Sequence, residues 1–163
     1  MLTLHTTLGD IQLELDAANA PGTVANFMQY AQEGFFDGTI FHRVIKNFMI
    51  QGGGFTADME QKPTRQTIQN EAHNGLKNTK YTIAMARTPN PHSASSQFFI
   101  NVADNDFLNF KSPSPQGYGY CVFGKVVAGT EVVDKIANVK TGNAAGHADV
   151  PVDPVVITKV SVQ

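Results

Sequence analysis

The chain has 163 residues, 42% of them hydrophobic, and a formal net charge of −2 at neutral pH. That length suits one domain, residues 1–163, with an ordinary apolar core. Basic residues are scattered singly, which argues against nucleic-acid binding, and no apolar run reaches the roughly 18 residues a membrane helix needs.

In chain order, Leu2-Thr3-Leu4-His5-Thr6 and Ile11-Gln12-Leu13-Glu14-Leu15 alternate apolar with polar, and Gly9-Asp10 between them supplies turn residues, so a hairpin is expected. The first residues, Met1-Leu2-Thr3-Leu4-His5, offer neither a basic region nor an apolar stretch, so no secretory signal is expected. Val24, Phe27, Met28 and Ala31 fall at i, i+3, i+4 and i+7, one face of a helix that Pro21 opens and Gly34 closes. Strands are expected at 81–87, 97–102, 120–127 and 155–162, and a short second helix over Glu131–Ala137 with Val132, Val133 and Ile136 on one face. Segments 56–78 and 103–119 are polar and rich in turn residues, hence loops. Many short strands with two helices imply an antiparallel sandwich or a barrel, and the pattern alone does not choose.

The lone Cys121 excludes an intramolecular disulfide and alternates with Phe123, which reads as a buried core thiol. With no signal and no disulfide, a reducing, cytoplasmic setting is expected. Gly52-Gly53-Gly54 is not followed by the Lys-Ser/Thr of a phosphate loop. His147, Asp149 and Asp153 match no standard ligand spacing, so no metal or cofactor is expected; His5, His73 and His92 read as isolated, solvated rings.

Two segments carry the chemistry. Phe41-His42-Arg43-Val44-Ile45 leads through Phe48-Met49-Ile50-Gln51 into the three glycines, and Ser96-Gln97-Phe98-Phe99-Ile100-Asn101 lies far away in sequence. If both are strands, Met49 and Gln51 share a face opposite Ile50, and Gln97 and Phe99 share a face opposite Phe98 and Ile100. One face of each is then purely apolar and suits a core. The other mixes a large hydrophobe with an amide and suits a surface pocket for an apolar group with peptide-like polar neighbours.

The same segments, with Val122-Phe123-Gly124-Lys125-Val126, resemble the signature motifs of the cyclophilins, peptidyl-prolyl cis-trans isomerases inhibited by cyclosporin. The similarity runs from about Thr3 to Val162 and is nearest to the single-domain cyclophilins of bacterial cytoplasm. It implies a mainly β fold, a closed eight-stranded antiparallel β-barrel with a helix over each open end, a solid interior and a ligand site on the outer wall. It also implies isomerisation of X–Pro bonds in peptides and folding proteins. Arg43 matches the family's catalytic arginine, while Phe48, Met49, Phe99 and Leu108 match its proline pocket. His42, Gln51 and Gln97 match positions that bound the pocket or bond the substrate backbone. Ala86 and Arg87 match positions that offer main-chain groups to an extended peptide; for the Arg87 side chain no role follows.

Two positions depart from the common eukaryotic pattern. Phe107 stands where many members carry a tryptophan whose indole N–H bonds cyclosporin, so cyclosporin binding is expected but weakened. Tyr120 replaces the pocket histidine and still offers a ring and a hydroxyl. A monomer is expected. Two other functions compete with catalysis: a non-enzymatic proline-peptide binder, and a barrel with a ligand in its interior. The presence of both Arg43 and the pocket hydrophobes favours the enzyme, and the bulk of Phe98, Ile100 and Phe123 argues against an interior cavity.

Overall fold

The computed structural model describes residues 1–162. In chain order it contains β1 (Leu2–Thr6), β2 (Gly9–Leu15), α1 (Pro21–Gln32), β3 (Arg43–Ile45), β4 (Met49–Gly52), β5 (Thr82–Met85), β6 (Phe98–Asn101), β7 (Val122–Ala128), α2 (Thr130–Ala137), β8 (Thr141–Ala144), β9 (His147–Pro151) and β10 (Ile157–Val162). Eight strands make one antiparallel sheet in the order β10-β1-β2-β7-β5-β6-β4-β3, and β8 pairs with β9 as a separate hairpin.

The predicted hairpin and both helices form where the pattern puts them. Pro21 occupies the first turn of α1, but Ala20 brings no side-chain cap. Glu71, distant in sequence, accepts from the N–H groups of Gly22 and Thr23 and from the Thr23 hydroxyl, at 3.3, 2.8 and 2.7 Å. A carboxylate there satisfies orphan donors and complements the positive end of the helix dipole. At the other end Gly34 adopts φ 74°, while the N–H groups of Phe35 and Gly34 donate to the carbonyls of Tyr30 and Ala31. That left-handed reversal is open to glycine without a Cβ clash.

The sheet is curled around Phe27, Phe36, Phe41, Phe98 and Phe123, all fully buried. Phe98 meets Phe27, Phe36 and Phe41 edge-on, with ring centroids 5.4, 5.6 and 6.0 Å apart. Ile50, Ile83 and Ile100 point to the same side and are equally buried. The predicted core face is therefore the inner face, and its aromatic rings fill the interior.

The expected closed barrel is not what forms. The sheet is an open, curled half-barrel whose edge strands β3 and β10 share no ladder. Among the described residues they are linked through the segment before β3: Ile40 bridges Val156, the Gly38 N–H donates to Ile157 O at 2.8 Å, the Phe41 N–H to Val155 O at 3.1 Å, and the Ile157 N–H to Thr39 O at 2.7 Å. Thr39–Phe41 must also face the other way, since Thr39 bridges Thr56 and the Ile40 N–H donates to Phe55 O. On both sides the pairing of this segment stays at isolated bridges and never lengthens into a ladder, and β3 itself is only three residues long. The β8–β9 hairpin, unexpected from sequence, packs beside β3 along this seam.

Phe98 is fully buried and meets three other rings of this core, so Phe98→Ala is expected to remove about 3–5 kcal/mol of stability. The shift of the urea midpoint at constant m-value measures it; a loss below about 1 kcal/mol would mean the interior collapses around the vacancy.

Candidate active site

Directly paired residues of antiparallel strands project to the same face. The observed registers pair Arg43 with Gln51, Gln51 with Phe99, Phe99 with Ala84, and Ala84 with Val122. These five residues form a transverse row across β3, β4, β6, β5 and β7 on the outer face. The adjacent row, Val44, Ile50, Ile100, Ile83 and Gly124, faces the core. Alternation predicted for the two motif strands thus holds, and it sets the catalytic candidates one residue out of phase with the interior.

On the outer face Met49, Ala84, Phe99, Leu108 and Val122 make a second, smaller buried apolar cluster, with Phe48, Ala86 and Tyr120 packed against it. Beside it opens a cavity of about 110 Å³ lined by Arg43, Phe48, Met49, Gln51, Ala86, Arg87, Phe99, Leu108 and Tyr120. Drug-sized ligands want roughly 300–1,000 Å³, so this hollow suits one compact apolar group. A larger depression of about 560 Å³, bordered by Glu14, Lys77 and Lys125, holds none of the predicted residues.

Arg43 is exposed on the edge strand, and its guanidinium has no hydrogen-bond or carboxylate partner among the described residues. On the opposite wall Arg87 is half-buried. Its guanidinium carbon lies 4.6 Å from the centroid of Tyr120, and its Nε donates to Gly119 O at 2.9 Å. Tyr120 in turn meets Phe99 edge-on at 5.6 Å.

Three predicted residues lie outside the cavity lining. Gln97 sits behind Gln51 and accepts from its Nε2 at 3.0 Å, fixing the amide plane. Its side chain lies across Gly54, where a Cβ would stand 2.6 Å from Gln97 Cγ, so the close approach requires glycine. Phe107 is 62% exposed and stacks on Phe48 at 5.7 Å, outside the rim. His42 is buried against Phe55, centroids 4.4 Å apart, with His147 at 6.4 Å and no partner for Nδ1. Burial above all, helped by His147 and Arg43, pushes its pKa down to about 4.

Cys121 is buried as expected, and burial pushes its thiol up to about 11, so it is no nucleophile at neutral pH. Two of the isolated histidines are tied into the structure instead of solvated. His5 bonds Asp10 and Ser161, and His92 Nδ1 accepts from the Asn70 N–H at 3.0 Å.

The support behind the pocket is what sequence reasoning missed. Asn101 Nδ2 donates to Asn78 Oδ1 and Thr82 Oγ1, both at 3.0 Å, and Asn105 Nδ2 donates to Asn101 Oδ1 at 2.8 Å. Asn78, Asn101 and Asn105 are all buried. Asn78 also donates to the carbonyls of Leu108 and Tyr120, and Asn105 to that of Phe48. These amides hold the main chain at three pocket positions. The only signal in the sequence was Asn101 closing an otherwise apolar strand.

The model of the family described as cyclophilin type peptidyl-prolyl cis-trans isomerase/CLD matches residues 1–162. The chain belongs to the cyclophilin family. It is 62% identical over 159 residues to the peptidyl-prolyl cis-trans isomerase cyp18 of Streptomyces antibioticus, covering 98% of this chain and 96% of that one. To isomerase B of Escherichia coli K12 it is 59% identical over 162 residues, 99% of each chain. Among solved structures, a cyclophilin from Cryptosporidium parvum, crystallised in the presence of the dipeptide Ala-Pro, superposes with TM-score 0.81 at 26% identity, covering 99% and 98% of the chains. This cyclophilin is accordingly a peptidyl-prolyl cis-trans isomerase.

The buried imidazole has a consequence for stability. With a folded pKa near 4 against an ordinary 6.5, His42 stays neutral in the native state while the unfolded chain takes up a proton. Its contribution is complete above pH 6.5 and declines as pH falls toward 4, by roughly 2–4 kcal/mol in all. Urea unfolding at pH 7, 5.5 and 4 is expected to show wild type losing that much relative to His42→Gln; parallel curves for the two proteins would exclude a buried neutral His42.

Proposed function

We propose that the outer-face cavity holds the proline ring of an extended X–Pro peptide and that Arg43 donates a hydrogen bond to the prolyl nitrogen as the imide twists. The peptide bond resists rotation by about 18–20 kcal/mol because resonance holds it planar. An enzyme turning over at ~10–10³ s⁻¹ has to lower that barrier by roughly 4–7 kcal/mol. No bond is made or broken, so neither nucleophile nor metal is required. Planar prolyl nitrogen has little lone pair to offer; twisting restores it. A donor aimed at that nitrogen therefore binds the transition state better than either ground state, which is the condition for catalysis.

The observation that carries this reading is a guanidinium without a carboxylate partner at the rim of a small cavity whose lining includes the apolar side chains of Met49, Phe99 and Leu108. Arginine suits the task because it stays protonated and directs rigid N–H groups. Gln51, oriented by Gln97, stands next to Arg43 in the row and can bond the substrate backbone. The N–H and C=O of Arg87 have no protein partner among the described residues and stand free to pair with an extended strand. His42 acts from behind, as a neutral buried ring supporting the base of β3. Substrates would be proline-containing peptides and folding proteins, bound by a cytoplasmic monomer with no cofactor, nucleic acid or membrane involved.

Arg43→Ala is expected to lower kcat/KM about 10²–10³-fold on a short X–Pro peptide, followed by exchange NMR, with an unchanged thermal midpoint. Arg43→Lys should recover little, since a point charge cannot replace the fork. Near-normal turnover in both variants would remove Arg43 from the mechanism. Cyclosporin, if it docks over Phe107, finds a ring with no N–H there. Titration of isomerase activity with cyclosporin is expected to show inhibition weaker than nanomolar, and a nanomolar inhibition constant would refute the assignment.

A further inference from the structure

We propose that Arg87 makes this enzyme prefer substrates with an acidic side chain within a few residues of the proline. The inference rests on the catalytic reading above and deepens it by naming a substrate class.

Arg87 follows directly on Ala86 at the end of β5 and forms part of the cavity wall. It is not a long side chain sweeping through solvent. Its Nε donates to Gly119 O at 2.9 Å, its Nη1 to Thr88 O at 2.9 Å and more weakly to Pro89 O at 3.5 Å, and the guanidinium plane rests on Tyr120 at 4.6 Å. Every one of these partners is neutral. The rotamer entropy of the side chain is already spent in the free protein, while its charge remains unneutralised and its Nη2 has no protein partner among the described residues.

The cavity is thus lined by two arginines and no carboxylate, in a chain whose net charge is −2. The ion pairs found among the described residues, His5–Asp10, Arg65–Glu33 and Lys125–Glu14, all lie elsewhere. Arg43 is engaged at the prolyl nitrogen, so Arg87 is the cation left over for a side chain. A peptide pairing with the free main-chain groups of Arg87 passes within reach of that guanidinium. Glu or Asp at such a position gains a charge-assisted hydrogen bond to a pre-ordered fork, and Lys there meets repulsion.

The test measures kcat/KM for a peptide series with Glu, Gln or Lys placed one, two or three residues before or after the proline. In wild type at low salt, Glu is expected to exceed Gln by about 3–10-fold at one position at least, and the ratio should fall toward one near 1 M salt, where screening reaches to about 3 Å. In Arg87→Gln the Glu/Gln ratio should be close to one at that position, whatever the absolute rate on the Gln peptide. A ratio near one throughout in wild type, or a Glu advantage that survives Arg87→Gln, would overturn the proposal. Failure of the underlying reading looks different: Arg43→Ala would then turn over the Gln peptide at close to the wild-type rate.

Discussion

The pairing of Arg43, Gln51, Phe99 and Ala84 across β3, β4, β6 and β5 is the constraint on which the rest depends. Because strand side chains alternate strictly, the same four segments have to satisfy two surfaces at once. Inward they supply Val44, Ile50, Ile100 and Ile83 to a core filled by five phenylalanines; outward they supply a cation, an amide and the floor of an apolar hollow. A slip of one residue would drive Gln51 and the guanidinium into the core and expose isoleucines. Folding and site assembly are therefore one event: the register that buries the hydrophobes also places the donor beside the cavity.

Electrostatics at the site follow from the position of β3. As an edge strand it keeps Arg43 in solvent on one side and next to a low-dielectric hollow on the other. A guanidinium in the interior would need a carboxylate to offset desolvation, and that carboxylate would occupy its donors. At the rim the charge stays hydrated and its donors stay free. His42, one residue earlier and buried against Phe55, takes the opposite course. It is buried and held neutral, so it adds no second charge beneath the arginine at neutral pH.

Legibility in the sequence tracked the range of the interactions involved. Alternation in Met49–Gln51 and Gln97–Ile100 was readable because period two needs no knowledge of partners, and it divided core from pocket correctly. Helix boundaries were readable from Pro21 and Gly34, although the actual N-terminal cap came from Glu71, which no local pattern announces. Closure was not readable: the seam between β3 and β10 is spanned by isolated bridges from Thr39–Phe41 to residues near 156, a tertiary pairing that no local pattern reports. Nor was the hairpin Thr141–Ala144 with His147–Pro151, since Gly142, Asn143, His147 and Ala148 are exposed and carry no apolar alternation. Phe107 and His42 sat at the right places in the motifs, yet one stacks outside the rim and the other lies behind the pocket. A motif fixes a position along the chain and leaves the side chain's direction to its neighbours.

The asparagine network shows why the pocket can be built half from loops without losing definition. Phe48, Leu108 and Tyr120 lie outside the strands, and their carbonyls are held by Asn105 and Asn78, themselves locked through Asn101. A buried amide both donates and accepts, so a chain of amides satisfies itself without leaving a charge. Aspartates could accept some of the same bonds, but each would add a negative charge behind the cavity, drawing on the field of Arg43 and Arg87 and demanding its own desolvation offset. Lysines could donate but would repel the same arginines. Neutral amides are the side chains that tie three loops together while leaving two guanidinium groups uncompensated, so the cavity wall is uncharged at its back and cationic at its rim.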